Sequence, residues 1–160
     1  MTQGSRANKS GYVLELAIEG ALKAHGYVEI SGDLPKKSRR QWLLYSTELT
    51  KRYAKQVFVG RNIYKTDIYV DFYIFNSISL PDGLIIECKW QESRGTVDEK
   101  YPYLNLNIKS SYPAPTIVVI GGRGVRQGAI DWFNQQIEDN PNLLAVYKLE
   151  NFLAWANNHL

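Results

Sequence analysis

The chain has 160 residues, 44% of them hydrophobic and 22% charged, so it is long enough to bury one core and too hydrophobic for global disorder. Its net charge of +3 permits nucleic-acid binding without requiring it. A single cysteine excludes an intramolecular disulfide, and no apolar run is long enough to cross a bilayer, so we expect one intracellular domain over residues 1–160 with no membrane partner.

The N-terminal part of the chain predicts two helices separated by a basic loop. Residues 1–9 are small and polar and are expected to form a flexible arm. Apolar residues then recur at helical spacing from about Gly11 to His25, and Gly26 is a typical helix stop. Residues 31–41 are expected to be a loop, and a second helix is predicted from about Trp42 to Ala54.

Three β-rich runs follow, at Lys55–Gly60, Asn62–Phe75 and Leu84–Gln91. The segment Ser79-Leu80-Pro81-Asp82-Gly83 separates the last two, and Pro-Asp-Gly between β-rich runs is a hairpin signal. These runs predict the hairpin-rich half of a mixed sheet.

The remainder of the chain alternates between helices and strands, which indicates crossover connections. The predicted elements are a helix at Thr96–Ser110, a strand at Thr116–Ile120, a helix at Arg126–Asp139, a strand at Leu143–Leu149 and a helix at 150–159. Pro102 is expected to kink the first of these helices or to start a second one. The order of elements predicts an α/β fold with a mixed sheet flanked by helices.

The third β run carries charged residues on an otherwise apolar strand. Strand side chains alternate between faces, so Glu87, Lys89 and Gln91 share one face and Cys88 lies on the other, where a buried apolar role is expected. Burying a carboxylate, an ammonium and an amide together is unfavourable unless they pair or bind a ligand.

A second carboxylate can come from the preceding β run. Asp71 lies there in Tyr69-Val70-Asp71-Phe72, and Asp67 competes with it because both fall on one face of a regular strand. Two carboxylates and a lysine are the groups that metal-assisted phosphodiester cleavage needs, since a hard cation neutralises phosphate and activates water.

Together these segments resemble the PD-(D/E)XK nuclease superfamily, which has the restriction-endonuclease-like fold. The resemblance spans roughly Gly11 to Ile120 and comprises Glu15 in the first helix, Asp71, Glu87-Cys88-Lys89 and Gln91. The spacing and setting of Asp71 match the superfamily better than those of Asp67. Two departures are Val70 in place of proline before Asp71, and a literal Pro81-Asp82 that we interpret as the hairpin tip.

The resemblance implies an endonuclease that uses Mg²⁺, or Mn²⁺, to hydrolyse DNA. It implies that Asp71, Glu87 and the backbone carbonyl of Cys88 bind the metal. It also implies that Lys89 orients or deprotonates the attacking water, or stabilises the charge of the transition state. Glu15 would reach the metal through a bound water, and Gln91 would position water or substrate.

Partners follow from the same reasoning. Lysine and arginine contacts to phosphate supply most sequence-independent affinity for DNA, and the basic loop carries Lys36, Lys37, Arg39 and Arg40. A homodimer or a higher homo-oligomer is expected, and a symmetric homodimer would place one site on each DNA strand. A small restriction, homing or phage-type nuclease is expected. The alternatives are a nuclease selective for branched structures, like Holliday-junction resolvases, a catalytically inactive DNA-binding module on the same fold, and an unrelated α/β interaction domain.

Overall fold

A mixed sheet with helices on both faces forms the frame of the protein. The computed structural model describes the backbone of residues 3–93 and 98–160, with side chains from residue 11 onward in those ranges. The strands are β1 Val28–Glu29, β2 Lys51–Arg61, β3 Asp67–Asn76, β4 Leu80–Trp90, β5 Thr116–Gly121 and β6 Leu143–Lys148. The helices are α1 Gln3–Ala24, α2 Arg39–Tyr45, α3 Tyr101–Ser110, α4 Gln127–Gln135 and α5 Leu149–His159.

The order of strands in the sheet follows the chain from β1 to β6. Antiparallel hairpins join β2 to β3 and β3 to β4, whereas β4, β5 and β6 run parallel and are connected through α3 and α4. Parallel neighbours need crossover connections, which the helices supply. The predicted α/β fold, with a hairpin-rich half and a crossover half, is therefore confirmed.

Two apolar clusters lie on opposite faces of the sheet. The inner residues of α1 and α5, including Leu14, Ile18 and Phe152, cover one face. Residues of α2, α3 and α4, including Leu43 and Phe133, cover the other. Burying both faces explains the uninterrupted apolar runs at residues 84–86 in β4 and 117–120 in β5.

Three helix boundaries differ from the prediction. The first helix begins at Gln3, inside the stretch 1–9 that was expected to be a flexible arm. This stretch contains no proline, and extending an existing helix costs less than nucleating one. The predicted second helix is wrong beyond Tyr45, because residues 51–54 pair with β3 as the start of β2. It also begins earlier, since Arg39 and Arg40 form its first turn rather than a loop.

The hairpin between β3 and β4 is confirmed, but its turn lies earlier than expected. Asn76 Oδ1 accepts hydrogen bonds from the amides of Ile78 and Ser79, and β4 already begins at Leu80. Pro81 and Asp82 are therefore part of the strand rather than the hairpin tip. The strand predicted from Asn62 also begins later than expected, at Asp67, because residues 62–66 form the turn between β2 and β3.

Pro102 starts a helix rather than kinking one, since it occupies the first turn of α3. The predicted start of that helix at Thr96 lies outside the described residues. Among the helices described, none combines the length and the apolarity needed to cross a membrane.

Candidate active site

The strands β3 and β4 separate at the point where the predicted acidic residues lie. Their ladder runs from Asn76 and Leu80 to the pair Phe72 and Ile86, and β4 then continues to Trp90 beside β5. The gap is closed by side chains. Asp71 Oδ2 accepts a hydrogen bond of 2.8 Å from the Cys88 amide, and the Asp71 amide donates to Glu87 Oε2 over 3.3 Å. The two carboxylates thus replace ladder hydrogen bonds and are held side by side.

An interruption in strand alternation directs Asp71 into this gap. Val70 packs in the cluster under α3, whereas Phe72 packs in the opposite cluster under α1, although residues two apart share a face in a regular strand. The alternation of β2 is interrupted in the same way, because Tyr53 packs in the cluster under α1 and Val57 packs in the cluster under α3. The regular alternation that placed Asp67 and Asp71 on one face is therefore broken at Asp71.

Gln56 lies at the corresponding interruption in β2. It has a φ of 50°, a left-handed conformation that non-glycine residues seldom adopt. Its side-chain amide donates a 3.2 Å hydrogen bond to Asp71 Oδ1. Local strain of this kind persists only where the surrounding structure enforces it, and here it coincides with a contact to a site carboxylate. Sequence reasoning missed Gln56, whose only signal is a polar residue within a β-rich run.

Glu87 is the most buried carboxylate at the site, with 3% of the residue exposed. Burial raises its pKa to about 8, the nearby Asp71 carboxylate contributes in the same direction, and Lys89 opposes both. The Tyr112 hydroxyl donates a short hydrogen bond to Glu87 Oε1. Sequence reasoning missed Tyr112, because no local motif distinguishes a tyrosine after a helix as a partner of a distant strand.

Lys89 shares the face of Glu87, as strand alternation predicted. Burial favours the neutral amine, but the Glu87 and Asp71 carboxylates outweigh that effect and raise the pKa of Lys89. Near neutral pH the side chain is therefore an ammonium, suited to stabilising negative charge.

These groups line a cavity of about 450 Å³, which is the size of a small-molecule site. Asp71, Glu87 and Lys89 lie on its strand wall, while Tyr103 and Asn107 come from α3. Asp67 also lines it, with a different environment: its carboxylate pairs with Lys37 at 3.0 Å and Arg61 at 4.0 Å, and its side chain is 35% exposed.

Glu15 lies on α1, partly buried, within electrostatic reach of the strand carboxylates. Burial is the main cause that raises the pKa of Glu15, and the Asp71 carboxylate raises it further. The Lys55 and Lys89 side chains lower it. Lys55 is itself held by Glu19, with 3.1 Å between Nζ and Oε2. The charge of Glu15 therefore interacts with those of Asp71 and Lys89, but Glu15 is not one of the residues that line the cavity.

Gln91 faces away from the cavity and supports the adjoining turns. Its side-chain amide donates to the Ser93 carbonyl at 3.2 Å, and its Oε1 accepts from the Tyr101 hydroxyl at 3.3 Å. Its backbone carbonyl accepts from the Gly124 amide at 2.9 Å. A Cβ at Gly122 would lie 2.0 Å from that carbonyl, so the glycine-rich turn packs directly on the end of β4.

The four basic residues predicted to contact DNA divide into two pairs. Lys36 and Lys37 are exposed near the cavity mouth, with Lys36 Nζ 5.4 Å from the centroid of the Tyr69 ring. Arg39 is committed to the fold, since its guanidinium donates to the carbonyls of Leu34 and Lys55 at 2.9 Å and 2.7 Å. Arg40 is half-buried against Tyr73.

The donor chemistry fits a hard divalent cation. Asp71 and Glu87 supply carboxylate oxygens beside the backbone of Cys88, and Glu87 is a buried carboxylate that a cation would neutralise. No cluster of three or more histidine, cysteine, aspartate or glutamate side chains occurs within the part of the chain that the structure describes. Mg²⁺ is commonly held by one or two carboxylates with waters and substrate phosphate, so two suffice.

Comparison with known proteins gives one match. A family model described as a PD-(D/E)XK nuclease superfamily domain matches residues 6–160. Neither the curated proteins nor the solved structures include a significant match.

Proposed function

This chain belongs to the PD-(D/E)XK nuclease superfamily, and on that premise we propose that it is a metal-dependent endonuclease that cleaves DNA. The observation that carries this proposal is the convergence of Asp71, Glu87 and Lys89 where β3 and β4 separate, on one wall of the cavity. In a catalytically inactive member we would expect at least one of these three groups to be missing.

Asp71, Glu87 and the Cys88 carbonyl are the groups that would hold the metal, with Mg²⁺ or Mn²⁺ as candidates. When bound, the metal supplies charge neutralisation for the scissile phosphate and a lower pKa for water. Tyr112 fixes the orientation of Glu87, and Gln56 that of Asp71. Such supporting hydrogen bonds typically change metal affinity or activity by about 10- to 100-fold.

Lys89 would act on the phosphate side of the reaction. As an ammonium, it stabilises the negative charge that grows on phosphoryl oxygens and orients the attacking water by donating a hydrogen bond. A role as general base fits less well, because the carboxylates beside it hold its proton. Glu15 is proposed to contribute from α1 through water.

DNA would approach the cavity mouth past the exposed lysines of the basic segment. We assign phosphate contacts to Lys36 and Lys37, while Arg39 keeps the segment folded against β2. The Lys37–Asp67 pair would open when phosphate replaces Asp67, which an exposed ion pair allows at little cost. The expected homodimer, the biological subtype and the intracellular setting stay predictions.

The test is cleavage of supercoiled and branched DNA with Mg²⁺, Mn²⁺ or EDTA. The wild type is compared with Asp71→Asn and Lys89→Met, using Asp82→Asn and Lys109→Met as matched controls on exposed residues that do not line the cavity. We expect metal-dependent cutting by the wild type and both controls, and its loss in both site variants.

The contrary results are equally definite. Cutting that survives in Asp71→Asn and Lys89→Met would refute the assigned site. DNA binding by the wild type without cutting on any substrate would indicate the inactive binding module.

Metal binding can be tested independently of the substrate. We expect Mg²⁺ to raise the melting temperature of the wild type but not that of Asp71→Asn.

A further inference from the structure

Two tyrosines are stacked at the mouth of the cavity. The rings of Tyr64 and Tyr103 lie 5.5 Å apart between centroids, with an interplanar angle of 15°. Tyr103 belongs to α3 and lines the same cavity as Asp71 and Glu87. Tyr64 belongs to the turn between β2 and β3 and is 72% exposed. Tyr103 covers one face of the Tyr64 ring, and the exposure of Tyr64 leaves the other face open to solvent.

The turn that carries Tyr64 is held in place by hydrogen bonds. Asn62 Oδ1 accepts from the amides of Tyr64 and Thr66, at 2.9 Å and 3.1 Å. The Ile63 amide donates over 3.0 Å to Oδ1 of Asn107, a buried residue of α3. The aromatic ring is thus presented in a fixed position, so a ligand stacked on it would not have to immobilise a mobile loop.

Exposed cations lie on the turn that carries Tyr64 and on the cavity that Tyr103 lines. Lys65 follows Tyr64 in the turn and is exposed, and Lys100 is exposed and lines the cavity. Arg61 lies at the start of the turn, with its side chain 69% exposed and Asp67 4.0 Å away. Aromatic rings that accept bases, beside cations that follow the phosphates, are the means by which proteins bind single-stranded nucleic acid.

We propose that Tyr64 and Tyr103 form a stacking platform for an unpaired nucleobase next to the scissile phosphate. The preferred substrate would then be DNA with unpaired nucleotides, such as a single strand, a flap or a branch, rather than a continuous duplex. A paired base is already stacked within its helix and must be unstacked to reach a protein ring. The position of the scissile phosphate rests on the proposed nuclease function, whereas base stacking by Tyr64 is testable without cleavage.

The experiment measures binding in EDTA, where metal-dependent cleavage does not occur. Probes are a single-stranded oligonucleotide containing 2-aminopurine, whose fluorescence falls on stacking, and a fully paired duplex of the same sequence. The variants are Tyr64→Ala, which removes the ring, and Tyr64→Phe, which keeps it. Tyr45→Ala is the matched control, because Tyr45 is also 72% exposed but belongs to α2 and is not part of the Tyr64–Tyr103 stack.

We expect quenching by the wild type, Tyr64→Phe and Tyr45→Ala, and its loss in Tyr64→Ala. Affinity of Tyr64→Ala for the single strand should fall about tenfold, in line with the measured contribution of base–aromatic stacking, with duplex binding unchanged. Equal behaviour of Tyr64→Ala and Tyr45→Ala would overturn the platform. An equal loss on duplex would also overturn it, since that indicates a backbone contact.

Two further outcomes separate this proposal from the nuclease function and from a protein contact. Quenching without metal-dependent cutting by the wild type would sustain the platform and count against the nuclease, whereas cutting without quenching would do the reverse. A change in oligomeric state of Tyr64→Ala by light scattering, with unchanged single-strand affinity, would replace the platform with a subunit contact. Melting curves of all variants establish that each is folded.

Discussion

The two carboxylate regions of the cavity differ in how their negative charge is compensated. Asp67, at the rim, is partly exposed and paired with Lys37 and Arg61. Asp71 and Glu87, where β3 and β4 separate, are held against each other by backbone amides, and burial raises the pKa of Glu87. Both regions face the same cavity, yet only the second holds a buried carboxyl group, and its raised pKa indicates that the ionised form lacks full compensation.

This difference is the reason we propose a metal at the second region and not at the first. A cation at Asp67 would compete with two protein cations in a solvated setting, where ion pairs contribute little. A cation at Asp71 and Glu87 would relieve two adjacent carboxylates and a large desolvation penalty. The four predictions that follow test this contrast.

The largest contrast is expected between Glu87→Gln and Asp67→Asn, which make the same chemical change in the two regions. Losing a metal ligand should lower the cleavage rate by about a thousandfold, since it removes transition-state stabilisation. Losing an exposed ion-pair partner should change it by no more than about fivefold. Single-turnover cleavage with Mg²⁺ measures both. Comparable losses would show that Asp67 belongs to the metal site.

The second prediction concerns pH and the protein without metal. A carboxyl whose folded pKa is raised contributes stability below its unfolded pKa and loses that contribution as pH rises through the folded value, about 8 for Glu87. In EDTA, the melting temperature of the wild type should therefore fall between pH 5 and pH 8 relative to Glu87→Gln, whose amide does not titrate. We expect the wild type to lose a few kcal/mol of unfolding free energy over this pH range relative to Glu87→Gln. Parallel curves of melting temperature against pH for the two proteins would contradict this prediction.

Tyr112→Phe removes only the hydroxyl that donates to Glu87. We expect metal affinity and cleavage to fall by about 10- to 100-fold, because the ligand loses the hydrogen bond that orients it. Tyr101→Phe is the matched control, a buried tyrosine whose hydroxyl donates to Gln91 instead. Calorimetric Mg²⁺ titration measures the affinity. If both variants lose it equally, general packing rather than ligand orientation is responsible.

The smallest effects are expected from Gln56→Gly, which should weaken metal binding without destabilising the fold. Metal affinity should fall several-fold through loss of the hydrogen bond to Asp71. The unfolding free energy should stay unchanged or rise by up to about 1 kcal/mol, because glycine adopts the φ of 50° without strain. Lys65→Gly, at a φ of 66° in the β2–β3 turn, relieves strain without contacting Asp71 and should leave metal affinity intact. A decrease in stability for Gln56→Gly would refute the assigned strain.

Residue types and strand alternation were enough to predict that the charged residues of β4 lie together on one side of the strand. An acid and a lysine two apart on an apolar strand predict a shared face and a need for compensation, and the structure places Glu87 and Lys89 on one cavity wall. The resemblance favoured Asp71 over Asp67 as the metal ligand, and this choice stays a prediction, since both side chains line the cavity. The same alternation predicted that Gln91 faces the site, but β4 ends at Trp90, and the Gln91 side chain accepts a hydrogen bond from Tyr101 instead.

The positions of the secondary structure show a similar division. Gly26 ends the first helix, Pro102 starts α3, and the predicted hairpin joins β3 to β4, although its turn lies at residues 77–79 instead of at Pro81 and Asp82. Residues 46–54 were predicted to be helical from their composition, but pairing of residues 51–54 with residues 73–76 decided for a strand. Hydrogen bonding to β1 on one side and β3 on the other overrides a modest helix preference, and these paired residues of β2 and β3 are 19 to 25 positions apart in the chain.

The sequence by itself therefore determined the α/β class, the order of elements and the acidic strand pair, because these follow from periodicity and from local residue chemistry. Only the tertiary structure decided that Tyr112 would orient Glu87, that Gln56 would adopt a left-handed conformation beside Asp71, and that Tyr64 would stack on Tyr103. Each of these contacts joins residues from different elements. Their geometry depends on how the strands twist and separate, and no local sequence pattern encodes that.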